Sequence, residues 1–307
     1  MNVRMSDLRR RIWEARYLYL LLLPLVAFLI FFRYIPMLGL QIAFKKYSAK
    51  LGIWGSKWIG IANFQRIFIS PDAIRAIKNT IIISLSRLVF EFPIPIALAL
   101  LINELQNKHF KKLVQTISYL PHFITTVVMC SIILQMFDAR TGLFNAIMQL
   151  FGVPARNYMG IESAFKHIYV WTNVWQGVGY SSIIYIAALS GISPELHEAA
   201  IVDGANILKR IWHVDLPGIA PTISILLIMS CGSILSVGYE KIYLLQNSLN
   251  LDVSEVISTY VYKQGIASST PQYSYATAIG LFVSLVNVFM LLIVNKVSDR
   301  LSGSSLF

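Results

Sequence analysis

The chain has 307 residues, of which 56% are hydrophobic and only 13% charged, and its formal net charge is +11. Soluble domains carry about 25% charged residues, so this composition excludes an ordinary soluble protein. The basic excess lies in links between apolar segments and forms no stripe interleaved with aromatic residues, which argues against a nucleic-acid partner. Cys130 and Cys231 lie inside apolar segments without metal-ligand spacing, so we expect neither a disulfide nor a metal site.

Six apolar segments, taken in chain order, are long enough to cross a bilayer, which requires about 20 residues per helix. The first follows a cluster of arginines, as a secretory signal peptide does, but its length and the lack of a small-residue cleavage site favour an uncleaved span. We therefore predict an all-α membrane protein with a single transmembrane domain over residues 1–307. The predicted spans are residues 17–40, 80–102, 113–137, 168–192, 217–239 and 275–295.

Lysine and arginine residues near the span ends predict the orientation in the membrane. Five arginines lie within residues 4–16, before the first span, and three lysines lie within residues 108–112, between the second and third spans. With an even number of spans these two clusters share one side, which the positive-inside rule assigns to the cytoplasm, so both termini are predicted to be cytoplasmic. Residues 33–79 also contain eight basic residues, diluted over a segment with its own apolar pattern, which we interpret as a structured external or interfacial elbow.

The link between the fourth and fifth spans, residues 193–217, begins with clear helix signals. Ser193 is a suitable N-cap, Pro194 fits the first helical position, and Glu195 complements the positive end of the helix dipole. Gly204 provides the backbone freedom that ends such a helix. The link therefore predicts a short helix followed by a turn.

A second short helix is predicted after this turn, with Ile207, Ile211 and Val214 on one apolar face. We expect Pro217 and Pro221 to end this helix and to open the fifth span. The predicted product is a compact helix-turn-helix that projects into the cytoplasm. It has acidic residues at its start and small side chains at its contact face.

The same link matches a fixed pattern: E-A-A, three residues, G, nine residues, then I-x-L-P. It occurs here as Glu198–Ala200, Gly204 and Val214–Pro217, and valine in place of isoleucine is the one departure. This pattern resembles the EAA loop, the signature of the permease subunits of ABC importers. The resemblance implies that the link couples the pore to separate ATPase subunits. The residues that it assigns to coupling are Glu198, Ala199, Ala200, Asp203, Gly204, Leu216 and Pro217.

Further segments are similar to those of the maltose-type sugar importers. They are Arg33–Pro36, the W-x-G-x-x-N-F element Trp58–Phe64, Gln115–Phe123 and Tyr273–Phe282. This resemblance implies a bacterial plasma (inner) membrane protein whose partners are a second homologous permease, two ATP-binding cassette ATPase subunits and an extracytoplasmic solute-binding protein. The similar subgroup serves oligosaccharides released from plant or algal polysaccharides, including acidic ones.

The chain contains no phosphate-binding loop of the form G-x-x-x-x-G-K-[ST]. We therefore assign ATP hydrolysis to partner subunits and expect neither enzymatic activity nor a cofactor in this chain. An ion-coupled secondary transporter is the alternative, but it would favour paired repeats and embedded carboxylates, and Glu91 is the only carboxylate deep in a predicted span. An intramembrane enzyme is a second alternative, for which the sequence has no motif.

Polar residues recur on one face of the fourth span, where Asn173, Gln176 and Tyr180 are spaced i, i+3 and i+7 near Trp175. Polar groups inside a membrane usually face protein or a water-filled cavity. Sugar hydroxyls can hydrogen-bond to such a stripe while apolar sugar faces stack on aromatic rings, so these four residues are candidates for the substrate path. The alternative is interhelical packing with the partner permease.

The second span holds two charged residues, Arg87 and Glu91, one helical turn apart. Because i and i+4 share a helix face and an isolated charge in lipid is costly, we predict an ion pair within the span. The alternative is that Arg87 faces the pore and meets an acidic sugar. His122, beside Pro121, is interpreted as a hydrogen-bonding group at a helix distortion rather than as a proton relay.

Overall fold

The structure, a computed structural model, describes residues 13–302. Arg4, Arg9, Arg10 and Arg11, on which the predicted orientation partly depends, lie outside the described residues. The first helical segment runs for 29 residues from Arg16 to Phe44, and none of its most apolar 18-residue window is buried. It consists of α1 (Arg16–Leu29), a π turn (Ile30–Tyr34), α2 (Ile35–Met37) and a 3₁₀ turn (Leu38–Phe44).

The elbow after this segment is structured, as predicted, by an antiparallel strand pair and two short helices. They are β1 (Lys45–Lys46), α3 (Gly52–Gly55), β2 (Lys57–Trp58) and α4 (Ala62–Ile69). Asn63 donates from its side chain to the carbonyl oxygens of Ala43, at 2.8 Å, and Lys45, at 3.2 Å. Phe44 stacks on Trp58 with ring centroids 5.5 Å apart. The W-x-G-x-x-N-F element therefore folds back onto the end of the first helical segment.

Helices α5 (Pro71–Glu91) and α6 (Pro93–Asn103) together form one candidate span of 33 residues. It begins well before residue 80, the predicted start, because Ser70 caps the helix. The Ser70 hydroxyl accepts from the backbone N–H of Ala73 at 3.4 Å, and Pro71 occupies the first helical position, where its missing N–H costs nothing.

The third predicted span is two helices, α7 (Lys108–Tyr119) and α8 (Thr126–Met136), that are bent by 97° across a 3₁₀ turn at Leu120–Phe123. The prediction of a single helix over residues 113–137 is therefore wrong, although the predicted distortion beside Pro121 is confirmed. Proline breaks the helical hydrogen-bond ladder, and the Thr125 hydroxyl then caps the second helix by accepting from Val128 N–H at 3.5 Å.

Helix α9 (Leu143–Leu150) and a 3₁₀ turn (Tyr158–Gly160) lead to α10 (Glu162–Leu189), whose 28 residues make it long enough to span a bilayer. Within residues 13–302, four helical segments are both long and apolar enough to cross a membrane, and the bent pair would make a fifth. Helix α10 is not among them because tryptophan, asparagine, glutamine and tyrosine interrupt its apolar sequence. The fold is that of an all-α membrane protein.

The link after α10 forms α11 (Pro194–Val202), α12 (Ile207–Arg210), a π turn (Ile211–Asp215) and α13 (Leu216–Gly232). The predicted end of the second helix at Pro217 is wrong, because helix continues from Ile207 to Gly232 as one 26-residue candidate span. The π turn ends two residues before Pro217, whose nitrogen carries no hydrogen and cannot donate to a helical carbonyl. The link thus consists of the separate helix α11, a turn and the first part of a candidate span.

The remaining helical elements follow α13. They are α14 (Tyr239–Leu245), α15 (Leu251–Ser254), α16 (Ile257–Tyr262), a π turn (Lys263–Ala267) and α17 (Tyr273–Ser302). The chain divides into two compact units, one formed by residues through Arg66 with Gln264–Leu281, the other by Ile67–Lys263 with residues from Phe282 onward.

The second unit positions the candidate site by packing α10 against several other helices. Tyr185 and Leu189 of α10 are buried with Ala99 of α6 and Ile219 of α13 in one cluster. Toward its other end, α10 contributes Phe165 and further residues to a second cluster with α8 and α14. Helices α5–α6, α10 and α13 thereby come together around a common space.

Candidate translocation cavity and coupling segment

A cavity of about 540 Å³ lies between α5–α6, α10 and α13. Its lining mixes aliphatic and aromatic side chains with polar ones, as in a site that binds an amphipathic ligand. The polar lining includes Ser84, Arg87, Glu91, Asn173, Tyr180, Ser230 and Ser233. Hydroxyl, amide and charged groups thus converge from three different helices.

The predicted ion pair within the second span is present. Arg87 Nε donates to Glu91 Oε2 at 2.9 Å, which confirms the pairing. Both residues also line the cavity, so Arg87 is paired with Glu91 and faces the cavity at the same time. The pair supplies each charge with a partner at a depth where an isolated charge would be costly.

Asn173 lines the cavity and is held from behind by Lys241 of α14, whose ammonium donates to Asn173 Oδ1 at 2.6 Å and to Gln176 Oε1 at 3.4 Å. Lys241 is only 6% exposed, so it is a buried cation. Sequence reasoning missed this residue because Glu240 and Lys241, just beyond the predicted end of the fifth span, have the pattern of a solvated charge pair in a link.

The predicted polar face of α10 divides into residues with different surroundings. Gln176 does not line the cavity and donates to the backbone carbonyl of Ile124, at 3.1 Å, where the bent pair breaks. Tyr180 lines the cavity and stacks on His122 with ring centroids 3.9 Å apart. Trp175 is half-exposed and lies outside the cavity lining.

The first helix of the coupling segment, residues 193–217, has the predicted ends. Ser193 Oγ accepts from Glu195 N–H at 3.3 Å, which confirms the N-cap. At the other end Gly204 N–H donates to Ile201 O at 3.0 Å and Ala205 N–H to Ala200 O at 2.9 Å, the bond pair of a Schellman motif. Gly204 has φ +76°, the left-handed conformation that this motif requires.

Side chains of the coupling segment are largely exposed. Glu198, Ala199 and Asp203 are exposed, and Val202, between them, is 86% exposed. An open groove of about 430 Å³ follows the turn and is lined by Ile201, Ala205, Asn206, Ile207, Leu208 and Arg210. A surface with this much exposed aliphatic area beside acidic groups is typical of a protein interface.

An ion pair holds the coupling segment to α6, and a histidine–carboxylate contact joins the two ends of the segment. Arg210 donates to Glu104, at the end of α6, at 3.0 Å, and both side chains are about four-fifths buried. His197 Nε2 lies 3.5 Å from Oδ1 of Asp215, which is buried at the start of α13. Sequence reasoning missed the first contact because its partners are 106 residues apart.

Comparison with known proteins now identifies the family. Residues 91–303 match the family described as binding-protein-dependent transport system inner membrane component. The chain belongs to this family. It is therefore a multi-pass inner-membrane permease of a binding-protein-dependent ABC importer, a transport subunit that is not itself catalytic, which favours the ABC importer over both alternatives.

Similar proteins cover nearly the whole chain. The polygalacturonan/rhamnogalacturonan transport system permease protein YteP of Bacillus subtilis is 38% identical over 96% of this chain and 91% of its own length. Protein LplB of the same organism is 38% identical over 99% of this chain and 93% of its own length. A crystal structure of a bacterial ABC transporter involved in the import of the acidic polysaccharide alginate matches with a TM-score of 0.89 and 39% identity, over 96% of this chain and 99% of that one.

Proposed function

We propose that this permease transports acidic oligosaccharides released from polysaccharides, as one of two homologous subunits that form the pathway. Two features support this solute class. YteP is described as a polygalacturonan/rhamnogalacturonan permease and the similar crystal structure as an alginate importer, and both of those polysaccharides carry carboxylates. The cavity of this chain presents an arginine among amide and hydroxyl groups, a set that suits uronic acids.

The cavity is the observation that carries the proposal. Asn173 and the cavity serines supply hydrogen-bonding groups for sugar hydroxyls, Tyr180 supplies an aromatic face, and Arg87 supplies a positive charge. Asn173, Tyr180 and Arg87 are therefore proposed to contact the solute. Gln176 and Trp175 are proposed to support the path indirectly, since neither lines the cavity.

The proposed topology has six spans with both termini in the cytoplasm. The four apolar segments supply four of the spans, and the bent pair α7–α8 supplies a fifth. Helix α10 supplies the sixth, since its 28 residues are long enough although polar residues interrupt its apolar sequence. This arrangement places the coupling segment and the lysines of α7 on the cytoplasmic side, in agreement with the positive-inside rule.

The coupling segment is proposed to dock on one of two ATPase subunits. The contact face has two parts. One part consists of the exposed acidic residues Glu198 and Asp203 with the small residue Ala199, and the other is the aliphatic groove beyond Gly204. Leu216 and Pro217, at the start of α13, would transmit its movement into the span. ATP hydrolysis on the partner would thereby switch access to the cavity.

The exposure of the first helical segment is a reason to propose a partner permease. None of its most apolar 18-residue window is buried within this chain, so lipid and a second subunit are left to cover it. An extracytoplasmic binding protein would deliver the solute to the side opposite the coupling segment.

Reconstitution tests the proposed function. The permease is assembled in proteoliposomes with its partner permease, ATPase subunits and binding protein, and uptake of radiolabelled trigalacturonate is measured with external binding protein and internal ATP. We expect ATP-dependent uptake of trigalacturonate that exceeds uptake of maltotriose. Uptake of maltotriose alone would overturn the proposed solute class, and uptake that persists without the ATPase subunits would overturn the proposed energy source.

A further inference from the structure

The ion pair in the cavity is incomplete in a way that points to a second partner for Arg87. Glu91 engages Nε of a guanidinium that carries five N–H donors, through a single 2.9 Å bond. Glu91 Oε1 is buried and makes no hydrogen bond within the part of the chain that the structure describes. The pair is therefore monodentate, whereas arginine and a freely oriented carboxylate can form the stronger bidentate pair.

The charge balance of the cavity also favours an incoming anion. Glu91 is the only carboxylate among the described residues that line the cavity. Lys241, behind Asn173, is close enough to interact electrostatically with both Arg87 and Glu91. Arg87 and Lys241 together outnumber the one carboxylate, Glu91, so the surroundings of the cavity carry a net positive charge that attracts anions.

We propose that Glu91 is a resident counter-ion, which holds Arg87 while the cavity is empty and is displaced from it by a carboxylate of the solute during transport. The inference rests on the proposed function, because it requires an acidic oligosaccharide. Of the two side chains Arg87 is the more open, at 34% exposure against 21% for Glu91, so a solute can reach the guanidinium without moving the helix.

The exchange explains how an acidic solute can both enter and leave. A fixed, unopposed arginine would bind a carboxylate tightly and retain it, and transport requires binding that is weak enough for release. Glu91 lies one turn away on the same helix and competes for Arg87 throughout, so it lowers the affinity of the bound state and restores the empty state after release. A neutral sugar cannot displace Glu91 and gains nothing from Arg87.

Two variants with opposite expected effects test the exchange, in the complete complex with its binding protein. Arg87→Gln should raise the KM for trigalacturonate about tenfold or more, because a hydrogen bond to a charged group is lost. Glu91→Gln should lower both the KM and the maximal rate, since the solute then meets no competitor and leaves slowly. Fully methyl-esterified trigalacturonate should show neither shift.

The matched control is Asp72→Asn. Asp72 forms a 3.0 Å pair with Arg75 on the same helix but is 58% exposed and does not line the cavity, so its removal should change neither constant. If the binding protein does not deliver the ester, the exchange is tested with the acid alone, by whether Arg87→Gln and Glu91→Gln shift its KM in opposite directions.

The possible failures are distinguishable. Wild-type uptake of neither trigalacturonate nor its ester would overturn the proposed solute class and, with it, the exchange. Normal wild-type uptake combined with Glu91→Gln and Arg87→Gln variants that lose rate equally for acid and ester, without opposite KM shifts, would overturn the exchange alone and leave a structural ion pair.

Discussion

The coupling segment and the polar face of α10 differ in what holds them in place. Bonds between residues close in the chain, such as Ser193 to Glu195 and Ala200 to Ala205, shape the first helix and turn of the coupling segment and leave most of their side chains exposed. The face of α10 depends on distant partners, of which Lys241 is the most buried. A substitution in the coupling segment should therefore change docking without unfolding the protein, whereas one in α10 should affect packing as well.

One glycine in each region makes this difference measurable. Gly204 has φ +76°, and a Cβ built on it meets nothing within 4 Å, so only its backbone conformation requires glycine. Gly179 of α10 is buried, and a Cβ there would overlap the backbone carbonyl of Ser118 in α7. The first glycine serves a turn, and the second serves close helix packing.

The largest effect is expected for Gly179→Ala. The added methyl has no room against backbone, so α10 and α7 must separate, at a cost of about 1–3 kcal/mol or more for overpacking. We expect loss of the monodisperse complex in size-exclusion chromatography of detergent extracts. Gly177→Ala is the matched control, because it adds the same methyl on the same helix where nothing lies within 4 Å. Equal behaviour of the two variants would contradict the packing argument.

A large but local effect is expected for Gly204→Val. A left-handed residue with a side chain costs about 1–2 kcal/mol, and more when β-branched, so the turn should open and the ATPase should lose its contact. We expect an assembled permease with little uptake and little ATPase activity stimulated by binding protein, and a loss greater than that of Glu198→Ala.

Gly204→Asn separates backbone conformation from side-chain volume at this turn. Asparagine tolerates the left-handed region, so this variant should keep most of the activity that valine loses. Equal losses for asparagine and valine would show that the turn rejects any side chain. Wild-type coupling in the valine variant would contradict this account of the segment.

Sequence reasoning succeeded where the determinants are local. The cap at Ser193, the turn at Gly204 and the pair Arg87–Glu91 follow from residues within one or two turns of each other, and the structure has all three. It failed where a residue's partner is far along the chain. Neither Lys241 behind Asn173 nor Arg210 against Glu104 has a local signal, since each contact exists only after the helices pack.

Proline shows the limit of a local rule. Pro121 breaks a helix, and the chain there bends by 97°. Pro217 was expected to do the same, yet the helix continues through it, because a π turn at Ile211–Asp215 accommodates the ring. Whether a proline ends a helix or is absorbed by it depends on the packing of the neighbouring turns, which the sequence does not state.

An intermediate effect is expected at the tie between the coupling segment and α6. Glu104→Arg should place two cations together and weaken the transmission of movement, and Arg210→Glu should do the same with two carboxylates. Coupling through such contacts is worth about 0.5–2 kcal/mol, so uptake per ATP hydrolysed should fall between about two- and thirtyfold. The double exchange Glu104→Arg with Arg210→Glu restores opposite charges and should recover most of the loss. A double variant as impaired as the singles would show that the pair does not act as a unit.

The smallest effect is expected within α10 itself, where two aromatic residues provide a matched pair. Tyr180 and Trp175 are about equally exposed, at 47% and 49%, but only Tyr180 lines the cavity. If the solute stacks on Tyr180, Tyr180→Ala should raise the KM for trigalacturonate about two- to twelvefold, which corresponds to an aromatic contact of about 0.5–1.5 kcal/mol. Trp175→Ala removes a larger ring outside the cavity and should leave the KM unchanged in complexes that assemble normally. A larger KM shift for Trp175→Ala than for Tyr180→Ala would indicate that the solute passes along the other face of α10, because Trp175 does not line the cavity.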